Sequence, residues 1–205
     1  MAARIERVSS ADEINIWIVG DDDEVIVIDP GSDAAGLLDV VGDREVLAVI
    51  CTHGHADQVA AALEVAERDE APVALHPKDG SLWREAHPGE EADIEMDDGG
   101  VFGVADVQLE VIYAPGHTPG SVCLYCEDLG VVFTGHVMLA EGPVPEDGEY
   151  PDFARQLNAI GEDLLTLPAG TRVLPGHGRQ TTIAMAEKQF DSWIAAGPAP
   201  SSLGG

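Results

Sequence analysis

VICTHGHADQV, residues Val49 to Val59, is the stretch on which the reading of this chain turns. An apolar, strand-like run stops abruptly at His53, His55 and Asp57. Nitrogen and oxygen donors two residues apart at the mouth of a strand suit a metal cage. Val59, Leu63 and Ala66 then recur at i, i+4 and i+7, which predicts a helix over 56–69 and puts Asp57 at or near its start. The local order is strand, donor loop, helix.

Working outward, Val46 to Cys51 is the buried strand that delivers the motif. Before it, Arg4 to Val8, Ile14 to Val19 and Val25 to Asp29 are short strands, with Gly20 and the acidic DDDE as a hairpin-type turn between the last two. Asp33 can cap a short helix through Val41. After the motif come a short strand at Val73 to Leu75 and a helix in DGSLWREAH, broken by His87-Pro88-Gly89. Val107 to Tyr113, Ser121 to Cys126 and Val131 to Thr134 read as strands, followed by a Pro/Gly-rich acidic loop, EGPVPEDGEYP. Phe153 to Leu165 reads as an amphipathic helix, Arg172 to Leu174 as a strand and Thr181 to Ala196 as a closing helix. One domain over residues 1–196 and a disordered tail over 197–205 are expected from 205 residues without a domain-sized linker.

A net charge of -28 with ten Lys plus Arg argues against nucleic acid, whose binding needs cations that displace counterions. The N-terminus lacks the apolar core of a secretory signal, and no run approaches the ~18 apolar residues of a membrane span. A soluble cytoplasmic protein is expected, with no membrane partner. Three Cys give no disulfide framework. Cys123 and Cys126 lie three apart in a strand and so point to opposite faces, which reads as separate thiols rather than a metal or redox pair.

The central motif resembles the HxHxDH signature of the metallo-β-lactamase fold. The likeness continues in VIVIDPG with Asp29, APGHTPGSV with His117, VVFTGHVM with His136 and VLPGHGRQTT with His177, in the family's order. It implies an α/β fold, a four-layer αββα sandwich. It also implies a first metal site of His53, His55 and His117, with one tetrahedral position left for water, and a supporting role for Asp29. A second site in hydrolytic relatives draws on the Asp and last His of the signature, a bridging Asp and a C-terminal His. Here Gln58 stands where that His is usual, and His136 where the bridging Asp is usual. Either the second site is lost and the enzyme is mononuclear, or Asp57, His136 and His177 form a rearranged three-ligand site. The second is the working expectation, because a His arriving where a ligand was lost keeps a donor there and imidazole suits zinc. His76 and His87 lie outside the motifs and read as ordinary polar residues.

Within the fold, the sequence is most similar to small glyoxalase II-type thioesterases, through PGHTPGSV, the pair Asp152 and Phe153, and LPGHG followed by TTI. The nearest likeness is to the actinobacterial branch associated with mycothiol thioesters such as S-formylmycothiol, through NIWIVGDDDEVIVID, VICTHGHAD, LHPKDGSLWREAHP and PGSVC. The resemblance implies hydrolysis of a small thioester by metal-bound hydroxide, with one or two Zn2+ ions, or iron, as cofactor and Asp57 orienting the hydroxide or taking its proton. Glutathione-type enzymes carry a C-terminal extension with basic residues that this sequence lacks. Mycothiol has no carboxylate to neutralise, which agrees with the shortage of Lys and Arg. The acidic loop from Glu141 to Tyr150 is expected to shape the entrance and to disfavour anionic thiols. Alternatives on the same fold are a persulfide dioxygenase with one iron, a lactonase or lactamase, and a non-catalytic member that keeps a structural metal. No motif speaks to the oligomeric state.

Overall fold

In the computed structural model, residues 2–9, 14–143 and 152–197 are described. Strands β1 (Arg4–Ser9), β2 (Asn15–Gly20) and β3 (Glu24–Ile28) form an antiparallel meander. Asp21 shapes the turn between β2 and β3: its carboxylate accepts from the N–H groups of Asp23 and Glu24 at 2.9 and 3.0 Å. Those bonds favour the ionised form and pull its pKa down to about 2. Helix α1 (Ala34–Val41) starts at Asp33, whose side chain accepts from Gly36 N–H. Strand β4 (Glu45–Ile50) then pairs parallel to β3.

After the donor loop come α2 (Ala56–Val59), α3 (Ala62–Glu67), β5 (Val73–Leu75), a 3-10 turn at Pro77–Asp79, α4 (Gly80–Ala86) and β6 (Ile94–Glu95). The first sheet runs β1-β2-β3-β4-β5-β6. The second sheet contains β7 (Val101–Val104), β8 (Val107–Tyr113), β9 (Val122–Cys126), β10 (Val131–Gly135), β11 (Arg172–Pro175) and β12 (Thr181–Thr182), in the order β12-β11-β10-β9-β8-β7. Helix α5 (Phe153–Ala159) runs into a π-helical turn at Ile160–Leu164, and α6 (Ile183–Ala196) follows β12.

The period of two along each strand builds the layers. Ile16 and Ile18 of β2 pack on α1 and α3, while Trp17 and Val19 face the second sheet, where Trp17 meets Phe133 edge-on at 5.9 Å. In β9, Val122, Leu124 and Cys126 fill the inter-sheet core, whereas Cys123 faces the layer that holds Ala159, Ile160 and Trp193. The two thiols therefore lie on opposite faces, as their spacing predicted. Three apolar layers result, one under α1, α3 and α4, one between the sheets, and one under α5 and α6. This is the four-layer αββα sandwich.

The expected helix over 56–69 is in fact two. Gln58 C=O accepts from Gly31 N–H at 2.9 Å and Ala61 N–H donates to Gly31 C=O at 2.8 Å, so the loop after β3 takes backbone groups that a continuous helix would pair internally. Periodicity cannot report such a diversion. Thr181 and Thr182, expected in the last helix, form β12, and Thr182 caps α6 by accepting from Met185 N–H. Strands β6 and β7 had no clear signal: the first has two residues, and the second is largely exposed. The acidic loop beyond Pro143 and the tail beyond Gly197 lie outside the described residues.

Candidate metal centre

The centre is built where β4 ends. Thr52, the first side chain past Cys51, donates its N–H and hydroxyl to the two carboxylate oxygens of Asp29 at 2.7 and 2.8 Å. Asp29 closes β3 in a left-handed conformation (φ 51°) and is buried. Burial drives its pKa up to about 7, against the pull of the two Thr52 bonds. With its one hydrogen given to Asp29, the Thr52 oxygen accepts from His53 Nδ1–H at 3.1 Å. That fixes the tautomer and leaves the lone pair of His53 on Nε2, a buried atom with no hydrogen-bond partner. Burial, followed by the neighbouring imidazoles of His117, His136 and His55, holds the His53 pKa far below the usual range, so the ring is neutral.

His55 stands just before α2 without capping it, and His117 arrives from the loop between β8 and β9. The ligand atoms of His53, His55 and His117 all lie within 4.8 Å of one another. Their ring centroids stand 4.8 to 5.0 Å apart and near-perpendicular. Three imidazoles converging from two sheets, that of His53 neutral and with an orphaned lone pair, fit a divalent metal.

Two ties hold the converging loops. Thr52 C=O accepts from Val122 N–H at 2.9 Å. Asp79, wholly buried at the end of the 3-10 turn, accepts from Gly54 N–H at 2.9 Å and Thr118 Oγ1 at 2.7 Å through one oxygen. Its other oxygen accepts from Gly120 N–H at 2.6 Å. A Cβ on Gly120 would sit 2.6 Å from that carboxylate, so the close approach requires glycine.

His136 sits on the turn after β10. Its ring centroid is 4.9 Å from that of His53 and 5.0 Å from that of His117, but 6.5 Å from that of His177. Burial lowers its pKa to about 4, opposed by the Asp57 carboxylate. Gln156 of α5 fixes the turn by donating to the carbonyls of His136 and Val137 at 3.2 and 2.8 Å. Gly135 permits it: a Cβ there would meet Thr52 Oγ1 at 2.2 Å. His177 is half-buried on a loop held by Asn15, whose amide donates to the carbonyls of Pro175 and Gly178, both at 2.9 Å. Asp57 is exposed and accepts from the amide of buried Gln58 at 3.2 Å.

The structure thus gathers His53, His55, His117 and His136 closely, with His177 farther out and Asp57 at the rim. His76 and His87 lie apart, with structural partners: His76 stacks on Tyr113 at 4.5 Å, and His87 Nε2 pairs with Val59 C=O at 2.9 Å. Sequence reasoning missed Asp79, Thr52, Thr118, Gln156 and Asn15. Thr52 and Thr118 could have been suspected from adjacency to the motif histidines; the others carry no local signal.

The sequence model of the metallo-β-lactamase superfamily matches residues 10–177. The chain belongs to the metallo-β-lactamase superfamily. It is 29% identical over 191 residues to the probable metallo-hydrolase YqgX of Bacillus subtilis, covering 86% of this chain and 90% of that one. With the hydroxyacylglutathione hydrolase GloC of Haemophilus influenzae it shares 26% over 190 residues, 85% of this chain and 90% of the relative. Among solved structures, the BLEG-1 B3 metallo-β-lactamase superposes with a TM-score of 0.80 at 27% identity, covering 90% of this chain and 97% of that one. TTHA1623 in a di-iron-bound form gives 0.79 at 28% identity, with 89% and 97% covered. Membership in this superfamily makes the protein a metallo-hydrolase with a small-molecule substrate. Among the described residues, no helix is long and apolar enough to cross a membrane.

Proposed function

We propose that the protein hydrolyses a small thioester at a metal centre held by His53, His55 and His117. The observation that carries this reading is the set of three histidine ligand atoms within 4.8 Å of one another. A divalent cation bound there, zinc or iron, would polarise the carbonyl under attack and bring the pKa of a water toward about 7. Asp57, exposed at the start of α2 and steadied by the Gln58 amide, orients that water or takes its proton. A thiolate leaves readily, so no strong general acid is needed, and the low pKa of His136 makes it a poor one at neutral pH.

Asp57, His136 and His177 form the second, rearranged site in this reading. The support is the place of His136, whose ring lies 4.9 and 5.0 Å from those of His53 and His117 and 6.5 Å from that of His177. Similarity to GloC supports a thioester over a cyclic amide, and shortage of cations supports a carrier without carboxylates, such as mycothiol. Arg179, two residues past His177, is already paired with Glu141 at 2.9 Å. The same reading takes residues 1–196 as one domain of a cytoplasmic enzyme.

Metal analysis of the purified protein, with assays on a mycothiol thioester, a glutathione thioester, a β-lactam and a lactone, tests the proposal. The expected result is bound metal and thioester cleavage, with the mycothiol ester preferred at low salt. Faster turnover of the β-lactam, the reaction suggested by likeness to BLEG-1, would overturn the thioester reading. Undiminished activity after metal removal would overturn the metal centre.

A further inference from the structure

We infer that Asp79 is a positioning residue for the metal centre: a buried carboxylate that sets the spacing of His55 and His117 by binding both of their loops at once. This rests on the assignment of the histidine trio as metal ligands. Gly54 lies between His53 and His55 in the loop after β4 of the first sheet. Thr118 and Gly120 flank the turn after His117, between β8 and β9 of the second sheet. The Asp79 carboxylate takes a bond from each, at 2.9, 2.7 and 2.6 Å, and the His55 and His117 ring centroids stand 5.0 Å apart. Ser121 Oγ braces the same turn, accepting from Thr118 N–H at 3.0 Å and sharing a bond with Thr118 Oγ1 at 2.7 Å.

The chemistry calls for a carboxylate rather than any polar residue. All three partners can give a hydrogen, and Asp is acceptor-only when ionised. Asparagine keeps one accepting oxygen and turns an NH2 toward a donor, which breaks one loop's bond and places two hydrogens face to face. Space is equally exacting: a Cβ on Gly54 would come 2.9 Å from the Asp79 carbonyl oxygen. The adjacent residues reinforce the staple, since Lys78 Nζ donates to Tyr113 Oη and Tyr113 Oη–H to Pro119 C=O, both at 2.8 Å. The His76–Asp79 segment therefore grips the 113–121 segment along its length, so the trio's spacing is set by the fold before any metal arrives.

Three variants test this: Asp79→Asn, Thr118→Val and, as a control, Asp69→Asn. Asp69 accepts from Val46 N–H at 2.8 Å, at the opposite end of β4 from the histidines. Zinc affinity is read by chelator competition, the visible absorption of the Co2+-loaded protein reports ligand geometry, and melting of the metal-free protein reports folding. Asp79→Asn should weaken zinc binding about 10- to 100-fold, the range typical for partners of metal ligands, and shift the Co2+ bands. Thr118→Val should move both in the same direction by less. Asp69→Asn should lower the melting temperature with affinity and bands unchanged. Wild-type affinity and bands in Asp79→Asn overturn the inference, and if that variant does not fold, the same result in Thr118→Val does so. A wild-type protein that binds neither ion sinks the metal reading, and this inference with it.

Discussion

The two halves of the centre differ in how firmly the fold holds them. His53, His55 and His117 are braced from behind by two buried carboxylates, Asp29 through Thr52 and Asp79 through Gly54, Thr118 and Gly120. His136, His177 and Asp57 are braced through neutral amides: Gln156 under the His136 turn, Asn15 under the His177 loop, Gln58 beside Asp57. Asp79 ties two loops together through three donors and Asp29 takes both donors of Thr52, whereas each amide of the second half holds a single segment, so the first half is the more cross-tied. Folding has already buried His53 and His117, and a cation arriving there has little left to organise. The second half is wider, with 6.5 Å between the His136 and His177 rings and an exposed Asp57, and a metal there must draw its ligands together.

The sharpest way to break this contrast is His117→Ala. It should abolish hydrolysis and remove at least one metal equivalent per chain, checked by metal-to-protein ratio and a thioester assay; full activity would sink the assignment. Next in size is Thr52→Val, which deletes the oxygen that accepts from His53 Nδ1–H and one bond to Asp29. Metal affinity should fall on the order of 10- to 100-fold, and Thr52→Ser, which keeps the hydroxyl, should recover most of it. Equal losses in both variants would mean that packing of the Thr methyl, rather than the relay, is what matters.

His136→Ala probes the softer half. If His136 is a terminal ligand, the metal ratio should drop from two toward one with reduced turnover, and His136→Asp should restore two-metal occupancy at least in part. A ratio of one in the wild type that stays at one in His136→Ala would instead leave His136 as a neighbour of a single site.

The fold and the grouping of His53, His55 and His117 were legible through the family likeness, carried by short motifs that are each local. Short apolar runs such as Ile14 to Val19 and Ser121 to Cys126 mark strands without help from distant residues, and the donors of the motif sit within a few residues of a strand end. Asp29 was expected as a support, and Thr52 and Gln58 adjoin motif residues; the remaining braces were not legible, because each is a long-range contact: Asp79 is 41 residues from Gly120, Asn15 is 160 from Pro175, and Gln156 is 20 from His136. No spacing rule reports which buried Asp meets which N–H. The split between α2 and α3 escaped for the same reason, since its cause is Gly31, in the loop after β3.

The smallest expected effect belongs to Gln58, and it bears most directly on why the two halves differ. Its side chain is buried at the rim of the softer half, its amide nitrogen reaches Asp57 at 3.2 Å, and its Oε1 has no hydrogen-bond partner. Gln58→His replaces a weak neutral donor with an imidazole and leaves the backbone carbonyl, which accepts from Gly31 N–H, in place. It should tighten the second metal by on the order of 10-fold, the low end for one supporting contact, with little change at the first. The gain stays small because the same change removes the amide that steadies Asp57. Titrating metal-free wild type and Gln58→His with zinc checks this: two steps in both proteins, the second sharper in the variant, is the expected record. If the wild type takes up one equivalent however much zinc is added and Gln58→His takes up two, the second site is absent from this chain, and one imidazole is what separates the one-metal from the two-metal form.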